Sequence, residues 1–110
     1  MTSVLEHRFG SGDPYTLGVE EEYMLLHPAT WDLVPDIDSL LAAAKGGPYE
    51  SQITAELMQS VLEIATPVCR NVGEAREHLV ALRSYVAQLA RDQGCRFGSA
   101  GTHPLSLIHI

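Results

Sequence analysis

The sequence predicts an α+β fold in which antiparallel strands are backed by one long helix. Residues 17–26 collect strand-forming side chains between Gly and Pro punctuation, which is typical of a β-strand. Residues 72–93 carry an apolar stripe at helical spacing, and Gly94 follows as a stop signal. Such a helix is roughly 33 Å long at 1.5 Å per residue. It needs a wide apolar surface to lie on, and a sheet provides one.

The composition limits the kinds of protein that this chain can be. The chain has 110 residues, 45% of them hydrophobic, which suits one small domain. Its net charge of -7 argues against nucleic acid or an anionic membrane as the main partner, because no Lys/Arg cluster is present to meet phosphates. No signal peptide or membrane-spanning segment is evident, so we expect a cytoplasmic protein. Cys69 and Cys95 form no CxxC motif and are expected to be core thiols.

The strands are predicted in chain order as follows. Residues 1–14 form a flexible leader that ends in Gly and Pro residues. A strand over 15–26 is followed by a turn at 27–30 and by a short return strand over 31–34, which closes a hairpin. After the long helix, residues 95–99 return as a last strand.

Both predicted helices carry signals at their N-termini. Pro35 introduces a short helix that Asp36 or Asp38 can cap. Asn71 and Glu74 stand at capping-box spacing before the long helix. Four arginines stand among acidic neighbours in or just before this helix, which indicates a solvated face: Arg70, Arg76, Arg83 and Arg91.

Three consecutive carboxylates lie within the first predicted strand. Because strand side chains alternate, Glu20 and Glu22 project to one face and Glu21 to the other. Two ionised carboxylates ~5 Å apart repel by about 3 kcal/mol at an effective dielectric near 20. The fold tolerates this if a cation lies between them, if one stays protonated, or if water screens both. Taken alone, residues 18–23 favour an exposed strand face over a metal site.

A second acidic segment covers residues 52–68, where Glu56 and Glu63 are set among apolar residues. On one helix, their spacing of seven would place both carboxylates on the same face. The β-branched residues of 60–66 favour a strand, so that Glu56 belongs to a separate short strand and the chain turns near Met58. The helix stays open as an alternative.

Two pairs of carboxylates without cysteine ligands favour a hard cation such as Mg²⁺ or Mn²⁺ over zinc or copper. Mg²⁺ held in this way keeps water ligands and binds nucleotide phosphates, so an acidic groove can receive ATP. The sequence contains neither GxxxxGK[ST] nor GxGxxG. Solvated acidic strand edges explain the same spacing without any metal.

The order of motifs resembles one known family. GVEEEYMLLHP is followed by DLVP, AELMQSVLEIATPVC, a long helix and RFGSAGTHP. This order resembles the N-terminal part of the bacterial carboxylate-amine ligases, the second glutamate–cysteine ligase family, which are relatives of glutamine synthetase. The resemblance covers residues 15–104. It implies that these residues form part of a glutamine-synthetase-like curved antiparallel sheet backed by one long helix.

The resemblance also implies an activity and a site. A substrate carboxylate, glutamate in the archetype, takes the γ-phosphoryl of ATP, and an amine, cysteine in the archetype, captures the acyl phosphate. Family members hold Mg²⁺ ions between acidic strand residues and the ATP phosphates. The matching metal positions in this chain are Glu20, Glu22, Glu56 and Glu63. No residue needs to act as a general base, so the resemblance identifies no catalytic residue beyond the metal ligands.

Four further positions take their interpretation from the resemblance. Thr66 and His103 match motif positions near the substrate end of the site, although for His103 the sequence favours a loop imidazole bonded to backbone. Glu21 matches a variable position and should face away from the metal site. Trp31 stands where the family commonly has glycine, which leaves the shape of that turn open and suggests a packing role for the indole.

The resemblance also implies that the chain is incomplete. Family members are several hundred residues long, and residues 105–110 depart from their usual continuation. We therefore expect the 110-residue chain to be inactive alone, with an unpaired sheet edge that leaves a homodimer open. The alternatives are a non-enzymatic acidic module that binds a metal or a basic partner, and, more weakly, a carboxylate-pair hydrolase. Sensitivity to ATP distinguishes the ligase from the binding module.

Overall fold

In the computed structural model, which describes residues 8–105, the chain forms a four-stranded sheet and two α-helices. The strands are β1 (Glu20–Leu26), β2 (Ile53–Ala55), β3 (Val61–Ala65) and β4 (Arg96–Gly98). The helices are α1 (Ile37–Ala44) and α2 (Val72–Asp92), and a 3-10 turn covers Glu50–Gln52. The predicted α+β class is confirmed, with the short helix as a second backing element.

The sheet is antiparallel throughout, in the order β2-β3-β1-β4. The longest strand, β1, lies between β3 and β4. Glu22 lies directly opposite Glu63, and Tyr23 lies opposite Leu62. Because side chains alternate along each strand, this register places Glu22 and Glu63 on one face and Tyr23 and Leu62 on the other.

The core lies between the sheet and the helices. On the inner face of the sheet, apolar side chains pack in one cluster with those of both helices. Its buried members are Tyr23, Leu25, Ile37, Leu40, Ala44, Ile53, Leu62, Ile64, Leu82, Val86 and Ala90. Tyr23 also packs on Phe97, with ring centroids 4.7 Å apart. The predicted apolar stripe of the long helix is therefore confirmed, and the opposite, outer face of the sheet carries the acidic residues.

The long helix begins and ends close to where the sequence predicts. The Asn71 side chain accepts a hydrogen bond of 2.9 Å from the backbone N–H of Glu74. The Glu74 carboxylate bonds to the backbone N–H and the side chain of Arg70, at 2.8 and 3.1 Å, instead of closing a capping box on Asn71. Gly94, at φ +72°, follows the last turn.

The predicted hairpin is wrong in its extent. Residues 31–34 form no return strand, and only one bridge joins Leu33 to Leu26. The return segment would have to pair with the same edge of β1 as β3. The Ser60 carbonyl, just before β3, already accepts a hydrogen bond from the Leu25 N–H on that edge. The return segment can therefore reach only the last residues of β1.

Two smaller predictions also need correction. The first strand begins at Glu20 and not at Tyr15, because Tyr15 lies at φ +63°, which breaks the extended backbone. Asp36 occupies the N-cap position of α1, but its side chain accepts from the Ser39 hydroxyl at 2.6 Å and not from a backbone N–H. Neither change moves the strand that carries the three consecutive glutamates.

The second acidic segment is extended, and the helical alternative is wrong. Ile53–Ala55 and Val61–Ala65 form two antiparallel strands joined by a tight connection. The Val61 N–H donates to the Met58 carbonyl at 3.0 Å, which places the turn where the sequence predicts it. Glu56 follows β2 directly, so the strand ends just before this carboxylate.

Three further predictions concern the thiols, membrane-spanning segments and the ends of the chain. Cys69 and Cys95 are free thiols, the first buried and the second half-buried, as expected. Within residues 8–105, no helix has the length and apolar character that crossing a membrane requires. Of the predicted leader and tail, residues 1–7 and 106–110 lie outside the described part of the chain.

Candidate metal centre

Three predicted metal ligands meet on the outer face of the sheet. Glu22 projects from β1, Glu63 from β3, and Glu56 follows the end of β2. One carboxylate oxygen from each of the three lies within 4.8 Å of the others. We call these three residues the acidic cluster. The structure thus brings together side chains that are as many as 41 positions apart in the sequence.

Each cluster member is positioned by its own local backbone. The direct pairing of β1 with β3 sets Glu22 against Glu63, since residues opposite one another in an antiparallel pair have side chains on the same face. The Glu56 N–H donates to the Val61 carbonyl at 3.4 Å, which turns the chain back toward β3. Glu20 shares the outer face but is not part of the cluster, because it lies two residue pairs further along β1, opposite Ala65.

The cluster is electrostatically unfavourable without a cation. The pKa of the Glu63 carboxyl is raised above its usual 4.5, first because it shares a hydrogen bond with Glu56. Desolvation and the negative charges of Glu20, Glu56 and Glu22 raise it further. A cation bound among these carboxylates would offset the negative charges that raise the pKa of Glu63.

The geometry of the cluster fits a divalent ion. Two oxygens on opposite sides of an octahedral Mg²⁺ lie about 4.2 Å apart, given Mg–O distances near 2.1 Å. The separations of up to 4.8 Å in the acidic cluster are slightly wider, so a small side-chain movement closes them. Three carboxylates, with no nitrogen or sulfur ligand among them, also match the preference of Mg²⁺ and Mn²⁺ for oxygen.

Glu21 faces away from the cluster, as expected, and pairs with the long helix. Arg83 donates from Nε to Oε1 at 3.0 Å and from Nη2 to Oε2 at 2.8 Å, which is a bidentate contact. Arg83 stays half exposed while it makes this contact, so it lies on the predicted solvated face and also pairs with the sheet. The alternation of side chains along the strand could have indicated this pair. It places the Glu21 carboxylate on the inner face, where a cation from the covering helix can neutralise it.

Thr66 lies at the end of the β1–β3 pairing, next to the acidic segment. Its hydroxyl accepts from the Val19 N–H at 3.0 Å, and its own N–H donates to the Val19 carbonyl at 2.9 Å. These bonds extend the pairing by one residue beyond Glu20. In this structure the Thr66 side chain therefore fixes the strand end that carries Glu20.

His103 is buried and bonds to backbone through both ring nitrogens. Nδ1 accepts from the Leu105 N–H at 3.1 Å, which assigns the proton to Nε2 and makes Nε2 the donor to the Trp31 carbonyl at 2.8 Å. The imidazole thus ties the segment after β4 to the loop after β1. This contact matches the structural interpretation that the sequence left open for His103.

Comparison with known proteins identifies the family. The family model described as "Glutamate-cysteine ligase family 2(GCS2)" matches residues 16–109. The chain belongs to glutamate–cysteine ligase family 2. The resemblance carried by the sequence motifs is thereby confirmed for nearly the whole chain.

Curated members of glutamate–cysteine ligase family 2 resemble the chain over most of its length. A Rubrobacter xylanophilus protein, provisionally named glutamate–cysteine ligase 2-3, is 46% identical over 102 residues, covering 93% of this chain and 28% of the relative. Provisionally named glutamate–cysteine ligases 2 of Roseiflexus sp. and Enterobacter sp. are 47% and 36% identical, over 84% and 87% of this chain and 24% and 26% of their own lengths. The chain thus spans about a quarter of these relatives.

One residue near the site has an unusual backbone conformation. Trp31 lies at φ +65°, in the left-handed region that favours glycine. The Arg96 guanidinium lies 5.5 Å from the centroid of the Trp31 ring. A cavity beside this indole, the apolar cavity, was not expected from the sequence, because it forms only when residues from β1, β4 and two loops meet.

Proposed function

We propose that this chain is the N-terminal part of an ATP-dependent carboxylate-amine ligase of the glutamate–cysteine ligase type. The reaction transfers the γ-phosphoryl of ATP to a carboxylate, glutamate as the first choice, and an amine such as cysteine then displaces the phosphate. Two findings support the proposal: membership of the family and the convergence of three carboxylates on the outer face. We further propose that the complete protein has a glutamine-synthetase-like curved sheet, of which the four strands form part.

In this proposal the acidic cluster holds Mg²⁺ or Mn²⁺. Glu22, Glu56 and Glu63 are the ligands, and Glu20 adds negative charge from the neighbouring pair of β1. The bound ion would neutralise phosphate charge during phosphoryl transfer. Carboxylates repel phosphates directly, so ATP can approach this face only when a cation lies between them.

The residues of this chain have preparatory roles. The β1–β3 pairing keeps Glu22 opposite Glu63, so that both carboxylates can face one ion. Thr66 and His103 are proposed to lie at the substrate end, where both already organise backbone: Thr66 through Val19 and His103 through Trp31. None of these residues needs to act as a general base, because the acyl phosphate is formed by a carboxylate that is already ionised.

The proposal rests on the close approach of the three carboxylates in the acidic cluster, and Mn²⁺ binding tests it. We expect isothermal titration of the chain with Mn²⁺ to show binding that Glu63→Gln weakens by at least about tenfold, because one of three ligands loses its charge. Glu77→Gln is the matched control, since Glu77 is exposed on α2 and lies outside the cluster. Equal Mn²⁺ affinity in the wild-type chain and Glu63→Gln would remove the support for the metal centre.

The reaction itself is tested with the whole protein. We expect phosphate release from MgATP that depends on both glutamate and an amine, and that Glu63→Gln abolishes. Metal binding by the chain without any phosphate release from the whole protein would favour the non-enzymatic binding module.

A further inference from the structure

The apolar cavity adjoins the acidic cluster on the outer face. Its volume is about 210 Å³, and apolar side chains of β1 and two loops provide most of its wall. The residues that matter for its chemistry are Met24, Leu26, Trp31, Gly98, His103 and Pro104. Met24 also lines the smaller pocket that contains Glu22 and Glu56, so one side chain forms the boundary between the two spaces.

The distance between the two spaces suits one small ligand. Glu22 and Met24 project from the same face of β1 two residues apart, which corresponds to about 6.6 Å along a strand. A ligand with a cationic group at one end and an apolar group at the other can therefore contact both. An α-amino acid with a hydrophobic side chain has this arrangement, and its volume suits the cavity.

We propose that the apolar cavity binds the hydrophobic side chain of the acceptor amino acid, whose ammonium group lies toward Glu22. The acceptor role rests on the proposed ligase function, whereas binding itself requires neither ATP nor catalysis. The ammonium loses one proton to water. The neutral amine then attacks the carbonyl carbon of the acyl phosphate, the C–N bond forms, the C–O bond to the phosphoryl group breaks, and phosphate leaves with the second amine proton.

Trp31 supplies the aromatic wall of the cavity. Its backbone conformation at φ +65° is one that a bulky L-residue rarely adopts, yet an indole stands there. The Arg96 guanidinium holds the ring from one side, 5.5 Å from its centroid. With glycine at this position the cavity would lose its indole wall, so Trp31→Gly is expected to lose the preference for hydrophobic acceptors.

Intrinsic fluorescence tests the binding directly, because Trp31 is the only tryptophan of the chain. We expect L-leucine to shift the Trp31 emission to shorter wavelength and to bind at least about tenfold more tightly than L-alanine, given roughly fourfold for each fully buried methylene. N-acetyl-L-leucine, which lacks the ammonium group, should bind more weakly than L-leucine. Equal affinities for leucine and alanine would overturn the proposal.

A matched pair of variants tests whether the Trp31 indole provides the preference for leucine. Trp31→Gly suits the positive φ and should remain folded, and the NMR shift of the ¹³C-labelled Met24 methyl group then reports binding. We expect this variant to lose the preference for leucine over alanine. Tyr15→Gly makes the same type of change at φ +63°, at a residue that is 96% exposed and outside the cavity, and should keep the preference.

The results separate this proposal from the ligase proposal. If Trp31→Gly keeps the full preference for leucine, the cavity does not select the acceptor, even though Mn²⁺ binding at the acidic cluster stands. If Mn²⁺ binding fails while leucine binds through Trp31, the metal centre falls and the amino-acid site stands.

Discussion

Glu63 shows how a single residue reports the state of the acidic cluster. Its carboxyl lies opposite Glu22, and the hydrogen bond with Glu56 raises its pKa in the folded chain. A raised folded pKa stabilises the fold at low pH, fully so below the unfolded value near 4.5, and this contribution is lost as the pH rises through the folded pKa. The metal-free chain is therefore expected to lose part of its stability between pH 4.5 and neutral pH.

Urea unfolding at these two pH values checks this expectation. The decrease in the free energy of unfolding should be smaller in Glu63→Gln, because the amide does not titrate. Addition of Mg²⁺ at neutral pH should restore stability to the wild-type chain more than to Glu63→Gln. The same decrease with pH in both proteins would show that Glu63 does not titrate in the way its surroundings indicate.

The pair of Glu21 and Arg83 gives a second prediction at this scale. The contact is bidentate, with Glu21 largely covered and Arg83 half exposed, so we expect a coupling energy of about 1 kcal/mol. A double-mutant cycle with Glu21→Gln and Arg83→Met measures it from urea unfolding. A coupling energy indistinguishable from zero would mean that water screens the pair completely.

At the scale of elements, the N-terminus of α2 is stabilised by a side chain that the sequence identifies. Asn71→Ala removes the acceptor for the Glu74 N–H and is expected to cost about 1 kcal/mol of unfolding free energy. Asn71→Asp keeps an acceptor and is the matched control. The urea slope should be the same in both variants. A loss of similar size in both would assign the effect to the amide group and not to the cap.

Elements with local signals could be predicted, and elements that depend on competition between segments could not. The ends of α2 could be predicted from Asn71 and Gly94. The turn near Met58 could be predicted because the β-branched residues of 60–66 favour a strand after it. The predicted return strand over 31–34 is too long. The sequence does not show that the Leu25 N–H already donates to the Ser60 carbonyl. Strand pairing of this kind is decided by residues far apart in the chain.

At the scale of the whole molecule, the motifs identified the family, and the antiparallel register brought most of the predicted ligands together. Glu22 and Glu63 meet because β1 and β3 are neighbours, although α1 and β2 separate them in the chain. Glu20 stays outside the cluster because it lies two residue pairs further along β1. Neither the pair of Glu21 and Arg83 nor the cavity beside Trp31 was predicted, because each depends on tertiary packing.

Hydrogen exchange of β1 and β3 tests most directly whether the acidic cluster holds a metal ion to which ATP binds. The chain is compared alone, with Mg²⁺, with ATP, and with both together. We expect the amides of Glu20–Leu26 and Val61–Ala65 to be protected most strongly by Mg²⁺ and ATP together, weakly by Mg²⁺, and not by ATP alone. Protection that is the same with Mg²⁺ whether or not ATP is present would contradict the claim.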